Sequence, residues 1–314
     1  MRVLSPYSWT ARKHSEKALK SSLEALRARF KVPSRDPIIF PRRYESPRDR
    51  EVVGFIASSF AFGNARAFER TLEKVFSPMG PSPYEYLLRF SPARDRRFFI
   101  SLGHRWVRGK DIIAFLSLMK AALRKHGSLR SLFIKGFRAS DKNIAQGIIH
   151  FSKEFHALMT GKGDYKACRF FFPSPEDGSA CKRMNLFLRW MVRGGDGIDM
   201  GLWPEVPRSH LIVPLDTHIY RLSSYLGWTQ RKSKDWKTAE EITEALKKLS
   251  PNDPLKYDFA LCHYGMEYCS GEDPVKCPSC PLARRCFFKD RDHLSMNEAV
   301  AHKGLLAVDV KLST

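Results

Sequence analysis

The stretch DGSACKRMNLFLRWMVRGG (residues 177–195) consists of a turn of small residues followed by a segment with helical periodicity. The apolar residues of this segment recur at the spacing of one helix face: Met184, Phe187, Leu188 and Met191. Gly194-Gly195 then ends the pattern. Free N–H groups at the start of such a helix can hold a phosphate, and Lys182 lies in its first turn. A lone lysine at this position is more often a solvated surface charge.

Helical spacing extends outward from this stretch in both directions. It predicts further helices over 14–31, 51–62, 65–76, 110–125, 128–136, 141–160, 217–226, 236–249 and 254–268. The helix over 236–249 has Thr238 and Glu241 at the spacing of a capping box. Because no convincing run of alternating strand residues occurs, the sequence predicts an all-α protein.

The charge of the chain restricts its partners. The 314 residues include 54 Lys and Arg against 33 Asp and Glu, a formal net charge of +21. Such an excess favours a polyanion, most often nucleic acid, although it does not distinguish DNA from RNA. The chain has neither a run of 18 apolar residues nor a secretory signal. Its seven cysteines fit a reducing cytosol, so we expect a cytoplasmic, nucleoid-associated monomer.

Four of the cysteines form a compact cluster near the C-terminus with the spacing C-x7-C-x2-C-x5-C. They are Cys269, Cys277, Cys280 and Cys286. Four thiolates in one loop can bind zinc or a [4Fe–4S] cluster, and the spacing alone does not decide between the two. The same loop is basic, which suggests that the metal shapes a surface for an anion.

A further signal is LIVPLDTHIYRLSSYLG (residues 211–227), in which Asp216 separates an extended segment from the start of a helix. An aspartate at this position is a good helix N-cap, and capping alone could explain it. An acid placed at such a junction is also a candidate for chemistry.

Taken in order, these motifs resemble those of the helix-hairpin-helix DNA glycosylase superfamily, in its endonuclease III-like iron–sulfur branch. That branch has a hairpin reading L-P-G-V-G-x-K-T-A-N, whose lysine corresponds to Lys182, and Asn185 also matches. Its V-D-T-H-x-x-R motif corresponds to PLDTHIYR, with Asp216 in the place of the catalytic aspartate. Its closing C-x6-C-x2-C-x5-C motif differs here by one extra residue in the first gap.

The resemblance implies a two-lobed, all-α helix-hairpin-helix glycosylase fold with a C-terminal iron–sulfur loop. It implies a helical barrel over 48–190, a cluster domain formed by 1–47 and 191–290, and a tail over 291–314. The implied cofactor is a [4Fe–4S] cluster, with zinc as the alternative.

The same resemblance implies a base-excision repair glycosylase with associated lyase activity. Lys182 would form a Schiff base with the sugar of a damaged, oxidised base in duplex DNA, and Asp216 would stabilise the transition state. The residues expected to contact DNA are Gly178, Ser179, Ala180, Arg183, Phe62, Asn64, Lys276, Arg284 and Arg285.

The sequence also departs from this pattern. The second glycine of the hairpin is Ala180, its proline is Asp177, and residues 194–210 form an insertion between the lysine and the aspartate. The chain therefore resembles a divergent bacterial branch, similar to a domain family of unknown function. The alternative is a non-catalytic nucleic-acid-binding module, holding an iron–sulfur cluster or zinc, that kept the fold without excision.

Overall fold

The computed structural model describes residues 9–32, 36–159, 169–269, 279–283 and 286, with the side chains of 9–15 excepted. Within these residues the protein is mostly helical, as predicted. The α-helices are α1 (Trp9–Arg29), α2 (Pro47–Ser59), α3 (Ala65–Phe76), α4 (Pro83–Arg89), α5 (Pro92–Phe99), α6 (Gly109–His126), α7 (Leu129–Gly136), α8 (Ala145–Leu158), α9 (Lys182–Val192), α10 (Thr217–Tyr225), α11 (Trp236–Leu249) and α12 (Asp258–Glu267). A hairpin of two-residue strands, β1 (Gly103–His104) and β2 (Val107–Arg108), separates α5 from α6.

The helix that carries Lys182 is embedded in the core through its contact with α2. Gly54 allows this close approach, because a Cβ atom there would lie 3.0 Å from the Cε of Met191. The neighbouring Phe55 of α2 packs edge-on against Phe187 of α9, with ring centroids 5.2 Å apart. The apolar stripe predicted for this helix is therefore the face that anchors it, and the start of the helix is held in place by the core.

Several local predictions need correction. The helix over 236–249 is capped by Asp235, whose carboxylate accepts the N–H of Thr238 at 2.9 Å, so the proposed Thr238–Glu241 capping box is wrong. The short helices α4 and α5 were not predicted, because each has fewer than nine residues and begins at a proline. The residues immediately before the turn at 178–181 form a 3-10 turn, Pro175–Asp177.

The N-terminal helix α1 packs against α12, and α12 packs in turn against α10. Gly265 makes the second contact possible, since a Cβ atom there would lie 2.9 Å from the Cβ of His218. Consequently the start of α10, where Asp216 lies, is fixed by a helix that leads directly into the cysteine segment. The division into a barrel and a cluster domain stays a prediction, and the 291–314 tail lies outside the described residues. None of the described helices is long and apolar enough to cross a membrane.

Candidate active site

Lys182 and Asp216, separated by 34 positions in the chain, face each other at the beginnings of α9 and α10. The Nζ atom of Lys182 lies 4.0 Å from Oδ2 of Asp216. The lysine side chain is 38% exposed and that of the aspartate 11%, so the pair is open to an incoming molecule on the lysine side. The structure therefore brings together the two residues that the sequence predicted to be catalytic.

The two oxygens of Asp216 have different partners. Oδ1 accepts the backbone N–H groups of His218 at 2.9 Å and Ile219 at 2.7 Å, as an N-cap does. Oδ2 faces Lys182 and accepts the S–H of Cys262 on α12 at 3.3 Å. Capping and chemistry are therefore compatible, because each uses a different oxygen of the same carboxylate.

The turn before Lys182 is held by contacts from several sides. Ser179 forms an isolated β-bridge with Asp235, and the amide of Asn185 donates to the Ala180 carbonyl at 3.1 Å. Cys181, not Ala180, adopts the left-handed conformation, with φ +48°. An alanine in place of the second hairpin glycine is thus accommodated, because the unusual backbone angle falls on the next residue.

Arg183 is directed away from the surface that the sequence assigned to it. Its guanidinium donates to the carbonyl oxygens of Ser59 (3.0 Å) and Phe170 and lies 3.5 Å from the centroid of the Phe170 ring. Burial without a carboxylate partner lowers the pKa of this guanidinium. The side chain therefore ties α9 to the C-terminal end of α2 and to Phe170, and we do not assign it to DNA.

Asn64 and Phe62 are two of the residues expected to contact DNA. Asn64 is the N-cap of α3, where its Oδ1 accepts the Arg66 N–H at 2.9 Å. Phe62 is half-buried and stacks on Trp106, with ring centroids 5.1 Å apart. Phe62 thus supports an exposed ring rather than being the exposed ring itself. Trp203 and Trp190 are buried in the core and so are not available for stacking on a base.

Trp106 is a candidate that sequence reasoning missed. It lies beside the hairpin turn, is 51% exposed, and has the Arg105 guanidinium 5.3 Å from its ring centroid. Arg105 itself has a positive φ of +54°, which bends the turn. The available sequence signal was a tryptophan directly after an arginine in a strongly basic chain.

A row of exposed basic residues runs along α3 beside this hairpin. Its members, Arg66, Arg70 and Lys74, are four positions apart and so share one helix face. Arg70, Lys74 and Arg105 line a groove of about 330 Å³ between α3 and the hairpin. Aromatic and cationic side chains are thus combined on one surface, as single-stranded and flipped-out nucleotides require.

The insertion after α9 is bound to the scaffold by buried ion pairs. Arg189 donates to Asp199 of the insertion at 3.2 Å and to Asp258 of α12 at 2.6 Å. Arg193 contacts Asp199 as well, and pairs with Asp253 at 2.8 Å. Two arginines one turn apart therefore hold α9, the insertion and α12 together beneath the active site.

Three of the four predicted metal ligands lie within the described residues as reduced thiols: Cys269, Cys280 and Cys286. The Sγ atom of Cys280 accepts the hydroxyl of Tyr264 at 3.0 Å and the N–H of Leu282 at 3.4 Å. Two donors aimed at one sulfur suit a thiolate that ligates a metal. Within the described residues, no three His, Cys, Asp or Glu side chains form a metal-binding group. The remaining predicted residues, Cys277, Lys276, Arg284 and Arg285, lie outside those residues.

Comparisons with known proteins agree with part of this assignment. A family model described as "Protein of unknown function (DUF2400)" matches residues 36–267. Endonuclease III of Thermotoga maritima is 36% identical over 93 residues, which span 29% of this chain and 39% of that enzyme. The chain thus matches well under half the length of this relative. No solved structure matches it.

Proposed function

The chain belongs to the family described as protein of unknown function (DUF2400), and we propose that it is a DNA glycosylase with associated lyase activity. Its substrate would be a damaged, oxidised base in duplex DNA. The observation that carries this proposal is the 4.0 Å approach of Lys182 Nζ to Asp216 Oδ2 at an accessible surface. The partial similarity to endonuclease III supports the same class of reaction.

The chemistry requires one nucleophile and one carboxylate, and both are at hand. Asp216 takes a proton from Lys182, whose neutral amine attacks C1′ of the damaged nucleoside. The bond from C1′ to the base breaks, and the base leaves with the electron pair and takes up the proton that Asp216 holds, so that Asp216 is a carboxylate again. Positive charge that develops on the sugar is stabilised by the Asp216 carboxylate, which is already held in place by backbone N–H groups.

The amine then forms a Schiff base with the opened sugar. Loss of a proton from C2′ and departure of the 3′ phosphate nick the strand by β-elimination, and water releases Lys182. Both residues must reach C1′, so the nucleotide has to leave the stack. In this arrangement, the exposed ring of Trp106 and the basic row of α3 would contact the DNA next to the flipped-out nucleotide.

Within this proposal, Cys269, Cys277, Cys280 and Cys286 hold a [4Fe–4S] cluster that closes a helix-hairpin-helix glycosylase fold. The cluster would hold the basic loop in position against the DNA phosphates and would take no part in the reaction. The two hydrogen bonds to Cys280 support a thiolate at that position. Iron and acid-labile sulfide, measured in the purified protein, distinguish the cluster from zinc.

Borohydride trapping tests the proposal. Duplex oligonucleotides that each contain one oxidised base are incubated with the protein, reduced, and resolved on denaturing gels. We expect a covalent adduct with the wild-type protein and none with Lys182→Ala, because only the lysine forms the Schiff base. Asp216→Asn should bind the same DNA while its excision falls by about 10²–10³-fold, the loss typical of one electrostatic stabiliser. Lys153→Ala, at an exposed lysine on α8, is the matched control.

An adduct that persists in Lys182→Ala would refute the assignment of the nucleophile. Binding of duplex DNA without excision on any lesion would favour the non-catalytic module. A matched panel of RNA oligonucleotides identifies an RNA substrate, which the charge of the chain permits equally.

A further inference from the structure

A cysteine outside the metal cluster contacts the proposed catalytic carboxylate. Cys262 lies on α12, one turn after Asp258, and its Sγ atom is 3.3 Å from Asp216 Oδ2. That oxygen is the one that faces Lys182. Neither the metal site nor the covalent chemistry described above uses this thiol.

The thiol is protonated and acts as a donor. Burial raises the pKa of the Cys262 thiol well above its usual value, and the carboxylates of Asp216 and Asp258 raise it further. One oxygen of Asp258 already has a partner, because Oδ2 accepts a hydrogen bond from the guanidinium of Arg189 at 2.6 Å. The sulfur therefore keeps its proton, and the geometry directs that proton to Asp216.

The contact completes the hold on the Asp216 side chain. Two backbone N–H groups bind Oδ1, and a donor on Oδ2 is a further point that restrains rotation of the whole carboxylate about its Cβ–Cγ bond. The nearest cation, Lys182 Nζ, lies at 4.0 Å, beyond hydrogen-bond distance. Among the described side chains, Cys262 is therefore the hydrogen-bond donor to Oδ2 of Asp216.

We propose that Cys262 is a positioning residue, which holds Asp216 Oδ2 in the gap between Lys182 and the sugar by donating its S–H. This proposal rests on the proposed function and assigns a further residue to the same site. The thiol does not touch the substrate. It holds the carboxylate in place while the amine attacks and positive charge develops on the sugar.

A matched pair of variants isolates the donor. Cys262→Ala and Cys262→Ser are similar in size, and only serine keeps a proton to donate. We expect Cys262→Ala to lower the single-turnover rate of excision by about tenfold, the effect of losing one hydrogen bond to a charged group. The dissociation constant for lesion DNA should not change, and Cys262→Ser should recover most of the rate. If Cys262 served only for packing, the excision rate would fall equally in both variants.

Infrared spectroscopy tests the hydrogen bond without any need for activity. The S–H stretching band of Cys262 is obtained as the difference between the full-length wild-type protein and Cys262→Ser. An S–H donated to a carboxylate absorbs at lower frequency than a free thiol, so we expect this band to move upward in Asp216→Asn. The metal-bound thiolates carry no S–H and do not contribute.

The outcomes separate this inference from the function on which it rests. The positioning role would be overturned if the S–H band of Cys262 did not shift in Asp216→Asn, or if the alanine and serine variants had equal excision rates. This holds even if the wild type excises bases. A wild type inactive on every lesion, with the band still coupled to Asp216, would overturn the proposed reaction and leave the hydrogen bond standing.

Discussion

Asp216 illustrates how one side chain can satisfy two requirements. An N-cap needs an acceptor for the first N–H groups of its helix, and a glycosylase needs a carboxylate near the sugar. The two oxygens divide these tasks, since Oδ1 binds the backbone and Oδ2 faces Lys182. Sequence reasoning had treated capping and catalysis as competing explanations, and the structure accommodates both.

Trp106 offers a test at the scale of one residue. Because stacking on a base is worth about 1–3 kcal/mol, Trp106→Ala should weaken binding of lesion DNA by roughly tenfold or more. Trp106→Phe should retain much of the affinity, since it keeps a ring on the Phe62 support. Fluorescence anisotropy measures both, with Phe98→Ala, another exposed aromatic, as control. Equal losses for Phe98→Ala and Trp106→Ala would count against a specific contact.

At the scale of elements, the relative placement of α10 and α12 decides whether the site forms. Asp216 begins one helix and Cys262 lies on the other. The approach depends on Gly265, which has the side chains of His218 and Leu222 against the position of a Cβ atom. The sequence predicted α10 to within one residue, whereas the segment predicted as one helix over 254–268 begins with a 3-10 helix, Pro254–Tyr257, before α12. Nothing in either helix alone indicated that they cross at Gly265.

Gly265→Ala should separate the two helices. A Cβ atom 2.9 Å from that of His218 requires a backbone shift, and such overpacking typically costs about 1–3 kcal/mol. We expect a corresponding loss in the free energy of unfolding by urea, and a loss of excision larger than the loss of DNA binding. Met266→Ala, at the exposed neighbour, should leave both nearly unchanged. Unaltered stability of Gly265→Ala would show that the crossing is looser than the close approach of the two helices implies.

For the whole molecule, the net charge of +21 would govern how DNA is bound in the proposed function. Basic residues that neutralise phosphates release counterions, so affinity falls as salt rises. Part of this charge forms the row of Arg66, Arg70 and Lys74, and Arg70 and Lys74 line a groove with Arg105 of the hairpin. In the proposed function, this surface would bind DNA phosphates.

Removing this row should change the salt dependence itself. With Arg66, Arg70 and Lys74 all changed to alanine, the slope of log affinity against log salt should decrease in magnitude by about 1 for each phosphate that is no longer neutralised. The same number of changes at Lys17, Lys20 and Lys248, on α1 and α11, should alter the slope less. Titrations at several salt concentrations measure both, and equal changes would mean that the charge acts only in bulk.

The sequence by itself determined the helical class, most of the helix bounds, and Lys182 and Asp216 as the candidate reacting pair. The helical class and the helix bounds depend on local physics, namely apolar spacing and end caps, whereas the candidate pair follows from the resemblance of the motifs to those of helix-hairpin-helix DNA glycosylases. The helices α4 and α5, which were not predicted, are short and each begins at a proline.

Only the tertiary structure decided which side chains meet. It turned Arg183 inward, left Trp106 exposed, and set Cys262 against Asp216 across two helices. A helical pattern indicates which face is apolar, whereas the partner of a polar group depends on how distant segments pack. Contacts such as the 4.0 Å approach of Lys182 to Asp216 therefore follow from the core around α2, α9 and α12 rather than from either motif alone.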